Sequence, residues 1–147
     1  MNSKGVFNFN KEIIFGEIGT CTGVQIVNLL PLLINLQINL VPYLVVVGAM
    51  IFGSGAWLLT RIHDQSKEKK YTKKKLLNDI KYFTPASVLG TLIFYHPALF
   101  FTTKYFLEHH RPLLFSTIVS EVIAFSLFIT TMNVYRIVLF KITGKKL

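Results

Sequence analysis

Charge is scarce in this chain. Only 16% of its 147 residues are Asp, Glu, Lys or Arg, against roughly a quarter in an average soluble domain. Acids are scarcest: seven stand against sixteen Lys and Arg, for a formal net charge of +9. The single cysteine, Cys21, rules out an internal disulfide. Inside a hydrophobic segment it reads as a small packing residue. No small-residue cleavage site follows a short hydrophobic core near the amino terminus, so a cleaved signal peptide is not expected. No acidic metal-binding motif and no nucleotide-sugar site is visible. His109 and His110 are adjacent on a loop with no third ligand in view. Neither catalysis, a cofactor nor a metal site is therefore expected from this chain.

Apolar residues are what the chain has in excess. They make up 52% of it, and the mean hydropathy is +0.50. They come in long blocks rather than in alternation, which points to an integral membrane protein. A membrane helix needs about twenty mostly apolar residues to cross a core of about 30 Å. Four segments qualify: Ile13 to Asn35, Leu40 to Thr60, Tyr82 to Tyr105, and Leu113 to Phe140. The links within the first pair and within the second pair are short. Each ends in a proline, Pro42 or Pro112, suited to opening a helix. The expected fold is all-α: four transmembrane helices as two tandem hairpins. Residues 1–60 form the first, 61–81 a basic linker, and 82–147 the second.

The basic residues orient that fold. Eight of the sixteen lie in the linker: Arg61, Lys67, Lys69, Lys70, Lys73, Lys74, Lys75 and Lys81. Lys4 and Lys11 precede the first segment, and Arg136, Lys141, Lys145 and Lys146 end the last. Only Lys104 and Arg111 remain for the other side. Short Lys-rich loops stay cytoplasmic, so both termini are expected there. Nucleic acid is a poor partner for this charge. It is confined to the ends and middle, with no aromatic interleaving beyond Tyr71. Anionic lipid suits it better.

The halves read as a duplication. G-T-C-T-G (Gly19 to Gly23) and A-S-V-L-G (Ala86 to Gly90) open the two hairpins, behind Phe15 and Tyr82. Arg61 and Arg136 close them, and counting back from each arginine pairs Ala49 with Ala124. In lipid, helices associate by close approach at small residues. Gly19 with Gly23, Ala49 with Gly53, Ala86 with Gly90, and Ser116, Ser120 and Ala124 repeat a four-residue spacing. They are the expected packing seams; a lipid-tail groove would use the same residues.

Two carboxylates lie within the predicted spans. Glu17 is about one turn from the cytoplasmic face and Glu121 about two turns from the outer end. A charge at the membrane centre costs at least ~2.5 kcal/mol, so each is expected to be protonated or hydrogen-bonded toward the bundle. Placed near opposite faces, they are not expected to pair. A proton relay or ion site is the sharper alternative. Gln25 and Asn28 share a face of the first helix. His96 precedes Pro97, where a side chain is expected to help re-satisfy the broken backbone bond. Asn133 and Arg136 point the same way near the cytoplasmic end of the last helix. With Arg61, Lys81 and Lys11 they are candidates to hold a lipid phosphate, against ordinary positive-inside anchoring.

The openings F-G-E-I-G-T-C-T-G (Phe15 to Gly23) and Y-F-T-P-A-S-V-L-G-T (Tyr82 to Thr91), with the closing N-V-Y-R-I-V-L-F (Asn133 to Phe140), resemble those of the GtrA-like family of small four-helix membrane proteins. The first closing, G-A-W-L-L-T-R-I-H, departs from that pattern: it lacks the asparagine and the final phenylalanine. The resemblance implies a non-catalytic partner of a glycosyltransferase that loads sugars onto polyprenyl phosphate. The chain would anchor that enzyme or help move the lipid-linked sugar across a prokaryotic plasma membrane. Two other readings stand beside it. One is a structural accessory subunit of a larger membrane complex, such as a respiratory assembly. The other is a small transporter using Glu17 and Glu121.

Overall fold

A computed structural model describes residues 3–34, 36–67, 81 and 84–144. The side chains of residues 3–10, 12, 32, 61, 62, 64–67, 84–86 and 143 lie outside that description. The described residues are helical, with no strand among them. Helix α1 spans Ser3–Leu33 and α2 spans Val41–Lys67, with a short 3-10 turn at Ile38–Leu40 between them. A short α3 (Thr84–Gly90) leads through a π-turn (Thr91–Tyr95) into α4 (His96–Glu108). Helix α5 spans Leu113–Thr143. Residues 68–80, most of the basic linker, lie outside the described residues.

Three helices are long and apolar enough to cross a membrane, within Ile13–Pro31, Ile38–Thr60 and Leu113–Ile142. Only 22% of the α2 stretch is buried inside the protein. Its outward face, including Ile51, Leu58 and Leu59, is apolar and exposed. Such a surface is untenable in water and ordinary in lipid. The hydroxyls obey the same constraint. Thr22, Thr60, Thr91, Thr102, Ser126 and Thr130 each donate to the carbonyl four residues back on their own helix.

The segment expected as a single helix from Tyr82 to Tyr105 is instead divided at the π-turn. Pro97 explains the division. It has no N–H to offer, and its ring crowds the carbonyl four residues back. The preceding turn widens, and the His96 N–H reaches back to Thr91 O, five residues away. The ladder itself is re-spaced; the expected rescue by a Tyr95 or His96 side chain is not what joins these turns. Helical turns nonetheless follow one another without a gap from Thr84 to Glu108.

Turns between helices are tight. Pro42 stands at the second position of α2, and Pro112 caps α5 in extended geometry. His110 takes a positive φ in the 109–112 turn. Gly144 ends α5 in the left-handed region, donating its N–H to Phe140 O. Helices α1 and α2 pack antiparallel along much of their length, with Gly19 against Phe52 and Ala56 and Gly23 against Gly48. Helices α1 and α5 also run antiparallel: Ile13 shares a core cluster with Met132, and Asn28 bonds Thr117. The main core joins Val24, Val27, Val45, Ala49, Leu99 and Ala124. Ala49 and Ala124, matched by the repeat, thus meet in one core.

Candidate functional site: a polar stripe between α1 and α5

Glu17, Cys21, Gln25 and Asn28 recur at spacings of four, four and three along α1. That places them on one stripe of the helix. The stripe faces α5 and borders a groove of about 910 Å³. Ile14, Ile18, Ile26, Leu29, Leu114 and Phe125 supply its apolar walls. Glu17, Cys21, Thr22, Gln25 and Asn28 are its polar part.

The polar groups form two linked networks. In the first, the Tyr95 hydroxyl donates to Glu17 Oε1 at 3.1 Å, and the Cys21 thiol approaches the same oxygen at 4.0 Å. In the second, Asn28 Nδ2 donates to Gln25 Oε1 at 3.0 Å and to Thr117 Oγ1 at 2.8 Å. Thr117 donates its own proton to the Leu113 or Leu114 carbonyl, each at 3.1 Å. It is therefore an acceptor for Asn28, which fixes the orientation of the amide. Cys21 and Gln25 both face the Glu121 carboxyl, and Glu17 and Glu121 interact electrostatically. The carboxylates expected at opposite faces therefore share one cluster. The cause is the antiparallel register, which brings residue 121 level with residues 21–25.

Two acceptors in the second network lack a donor. Glu121 is 4% exposed and Asn28 is 8% exposed. Among the described residues, nothing donates to Glu121 Oε1 or to Asn28 Oδ1. His96 is also buried, with Nδ1 unpartnered and its ring edge-on to Tyr95. Tyr95 and His96 line a second cavity of about 410 Å³, together with Thr20, Gly53, Trp57 and Phe128.

The basic candidates are arranged differently. Arg136 is buried on α5 and engaged within the chain. Asn133 donates its amide to Ile129 O at 2.8 Å on its own helix. The Lys11 ammonium lies 6.0 Å from the Phe15 ring centre. Lys81 is exposed, and the Arg61 side chain lies outside the described residues. Neither cavity is lined by any of the five.

The small residues divide between two interfaces. A Cβ at Gly19 would collide with Ala56 Cβ and Phe52 O, and one at Gly23 with Gly48 O. At Gly53 it would meet the Thr20 hydroxyl. Gly90 faces α5 instead: a Cβ there would stand 3.2 Å from the Phe128 ring and 3.5 Å from Met132 Sδ. Ser120 is buried and donates to Ser116 O at 2.6 Å. The Ala86 side chain lies outside the described residues. Gly48 was not among the expected seam residues, although it lies five residues before Gly53. Cys21, Tyr95 and Thr117 were not expected at a site either. For Cys21 the signal was present, as the missing step of the Glu17–Gln25 stripe. For Tyr95 and Thr117 it was not, since their roles depend on which helices meet.

Among the described residues no group of three or more His, Cys, Asp or Glu could hold a metal ion. No protein-family model, curated protein or solved structure matches this chain.

Proposed function

We propose that this chain is a non-catalytic, multi-pass membrane protein that works with a polyprenyl-phosphate glycosyltransferase. It anchors that enzyme or takes part in translocating the lipid-linked sugar. In this reading the helical turns of Thr84–Glu108 make a fourth crossing. The termini and the basic linker then share the cytoplasmic side, as the Lys and Arg distribution favours.

One observation carries the reading: the groove between α1 and α5. Its apolar walls suit an isoprenoid chain lying against the bundle. The phosphate head does not belong beside Glu17 and Glu121, whose carboxylates would repel it. It belongs at the inner rim, where Lys11, Arg136 and the linker concentrate positive charge. The partner's catalytic domain docks on that same rim, attracted by a +9 chain.

Native mass spectrometry of the protein, extracted gently from its own membrane, tests this. The expected result is a retained polyprenyl phosphate or an accompanying glycosyltransferase. Recovery only with redox subunits would make the chain a structural subunit of a respiratory assembly instead.

A further inference from the structure

We infer that the second cavity, bordered by α1, α2 and the π-turn, binds an uncharged ring lipid of the phenol class, whose hydroxyl meets His96. One polar group in the lining is unmet. His96 is 9% exposed, and its Nδ1 has no partner among the described residues. A buried polar atom in that state calls for an explanation. Its neighbours in the lining are committed elsewhere. Thr20, Ser54 and Thr91 each donate to the carbonyl four residues back, and the Tyr95 hydroxyl donates to Glu17. From these four a ligand can draw only an acceptor. Gly53 leaves the Thr20 oxygen uncovered, since a Cβ there would land on it.

The lining selects the ligand. Among the described residues, no Asp, Glu, Lys or Arg lines the cavity. A charge without a counter-charge is costly in a low-dielectric surround, so the occupant is neutral. The surplus of acceptors asks for a group that donates, and a hydroxyl donates while still accepting. Trp57, Tyr95 and Phe128 line the space from three different elements, and they favour a ring through edge and offset contacts. About 410 Å³ is within the usual size of a small-ligand pocket. Entry is from the membrane, because Met50, Ser54, Val88 and Leu92 of the lining are exposed on the lipid-facing surface. The cavity shares no lining residue with the groove between α1 and α5. It therefore stands or falls apart from the polyprenyl-phosphate reading.

Trp57 is the only tryptophan in the chain, and it lines this cavity but not the groove. It is thus a local reporter. The test is quenching of its fluorescence by a bromo-alkylphenol, with the purified full chain in detergent, because bromine quenches on contact. The comparison ligand is the matching bromo-alkyltoluene, which puts a methyl group where the hydroxyl stands. The expected result is saturable quenching by the phenol. The toluene binds roughly tenfold more weakly, the scale of one hydrogen bond to a buried acceptor. His96→Phe keeps a ring, brings the phenol down to the level of the toluene, and leaves the toluene unchanged. Ser126→Ala, on the exposed face of α5, moves neither. Quenching that rises without saturation overturns the inference, since it reports only probe dissolved in the detergent around Trp57. Equal affinity for the two ligands overturns it too, and leaves ordered water as the partner of His96. So does phenol binding that survives His96→Phe. Should that variant fail to fold, the comparison of the two ligands on the wild type decides alone.

Discussion

Helix α1 has two faces built on opposite principles. Toward α2 it presents Gly16, Gly19, Thr20 and Gly23, and the two backbones come nearly into contact. Gly48 answers in kind: a Cβ there would stand 2.8 Å from Gly23 O. Toward α5 the same helix presents Glu17, Cys21, Gln25 and Asn28 beside an open groove. Burial cannot drive helix association in lipid, because the tails are as apolar as the side chains. The glycine face therefore supplies the adhesion, through dispersion and close approach. The polar face is free to keep unmet oxygens and a groove that a tight seam would abolish. On the proposed function, one helix thus separates holding the fold from meeting a ligand.

The comparison can be broken first at the seam. Gly23→Leu forces a side chain into the Gly48 backbone, which cannot retreat without parting α1 from α2. We expect a loss of about 3 kcal/mol or more, at the upper end for overpacking, read as a lowered midpoint of thermal unfolding in detergent. An unchanged midpoint would remove the seam from the account. Gly90→Leu sharpens the contrast. It meets the ring edge of Phe128 and the flexible Met132, which can move aside. A smaller loss, about 1–2 kcal/mol, is expected in the same assay. The smallest effect belongs to Gly55, where an added Cβ meets nothing within 4 Å. Gly55→Ala should raise stability by up to ~1 kcal/mol through helix propensity alone. A loss there would reveal a contact on the outer face of α2.

Much of this architecture was legible in the chain. Long apolar blocks announced three helices able to span a membrane, of the four expected, and the Gly19–Gly23 spacing announced the α1–α2 contact. These are local signals, readable along one helix. The division near Pro97 was half legible: the proline marked the place, but not that the ladder would widen into a π-turn. The site was least legible. The partners of Glu17 and Asn28 are Tyr95 and Thr117, which lie 78 and 89 residues away. Only the antiparallel register of α1 and α5 brings Glu121 beside Cys21. Sequence spacing placed the two carboxylates at different depths. It gave no account of how far their side chains and the intervening Cys21 and Gln25 close that distance. Arg136 was read as a rim cation from its position near a helix end, which gave no sign that its side chain would be buried.

The central claim is that the groove beside Cys21 holds a polyprenyl-phosphate lipid. Its most direct test compares the wild-type chain with Cys21→Trp, whose indole projects into that groove without touching the glycine seam. Lipids retained through gentle purification would be quantified by mass spectrometry, after both proteins are shown to have equal helix content and unfolding midpoints. Selective retention of polyprenyl phosphate by the wild type, with its loss in Cys21→Trp, is the predicted result. Equal retention by both, or a wild type carrying only the bulk lipids of its membrane, would contradict the account.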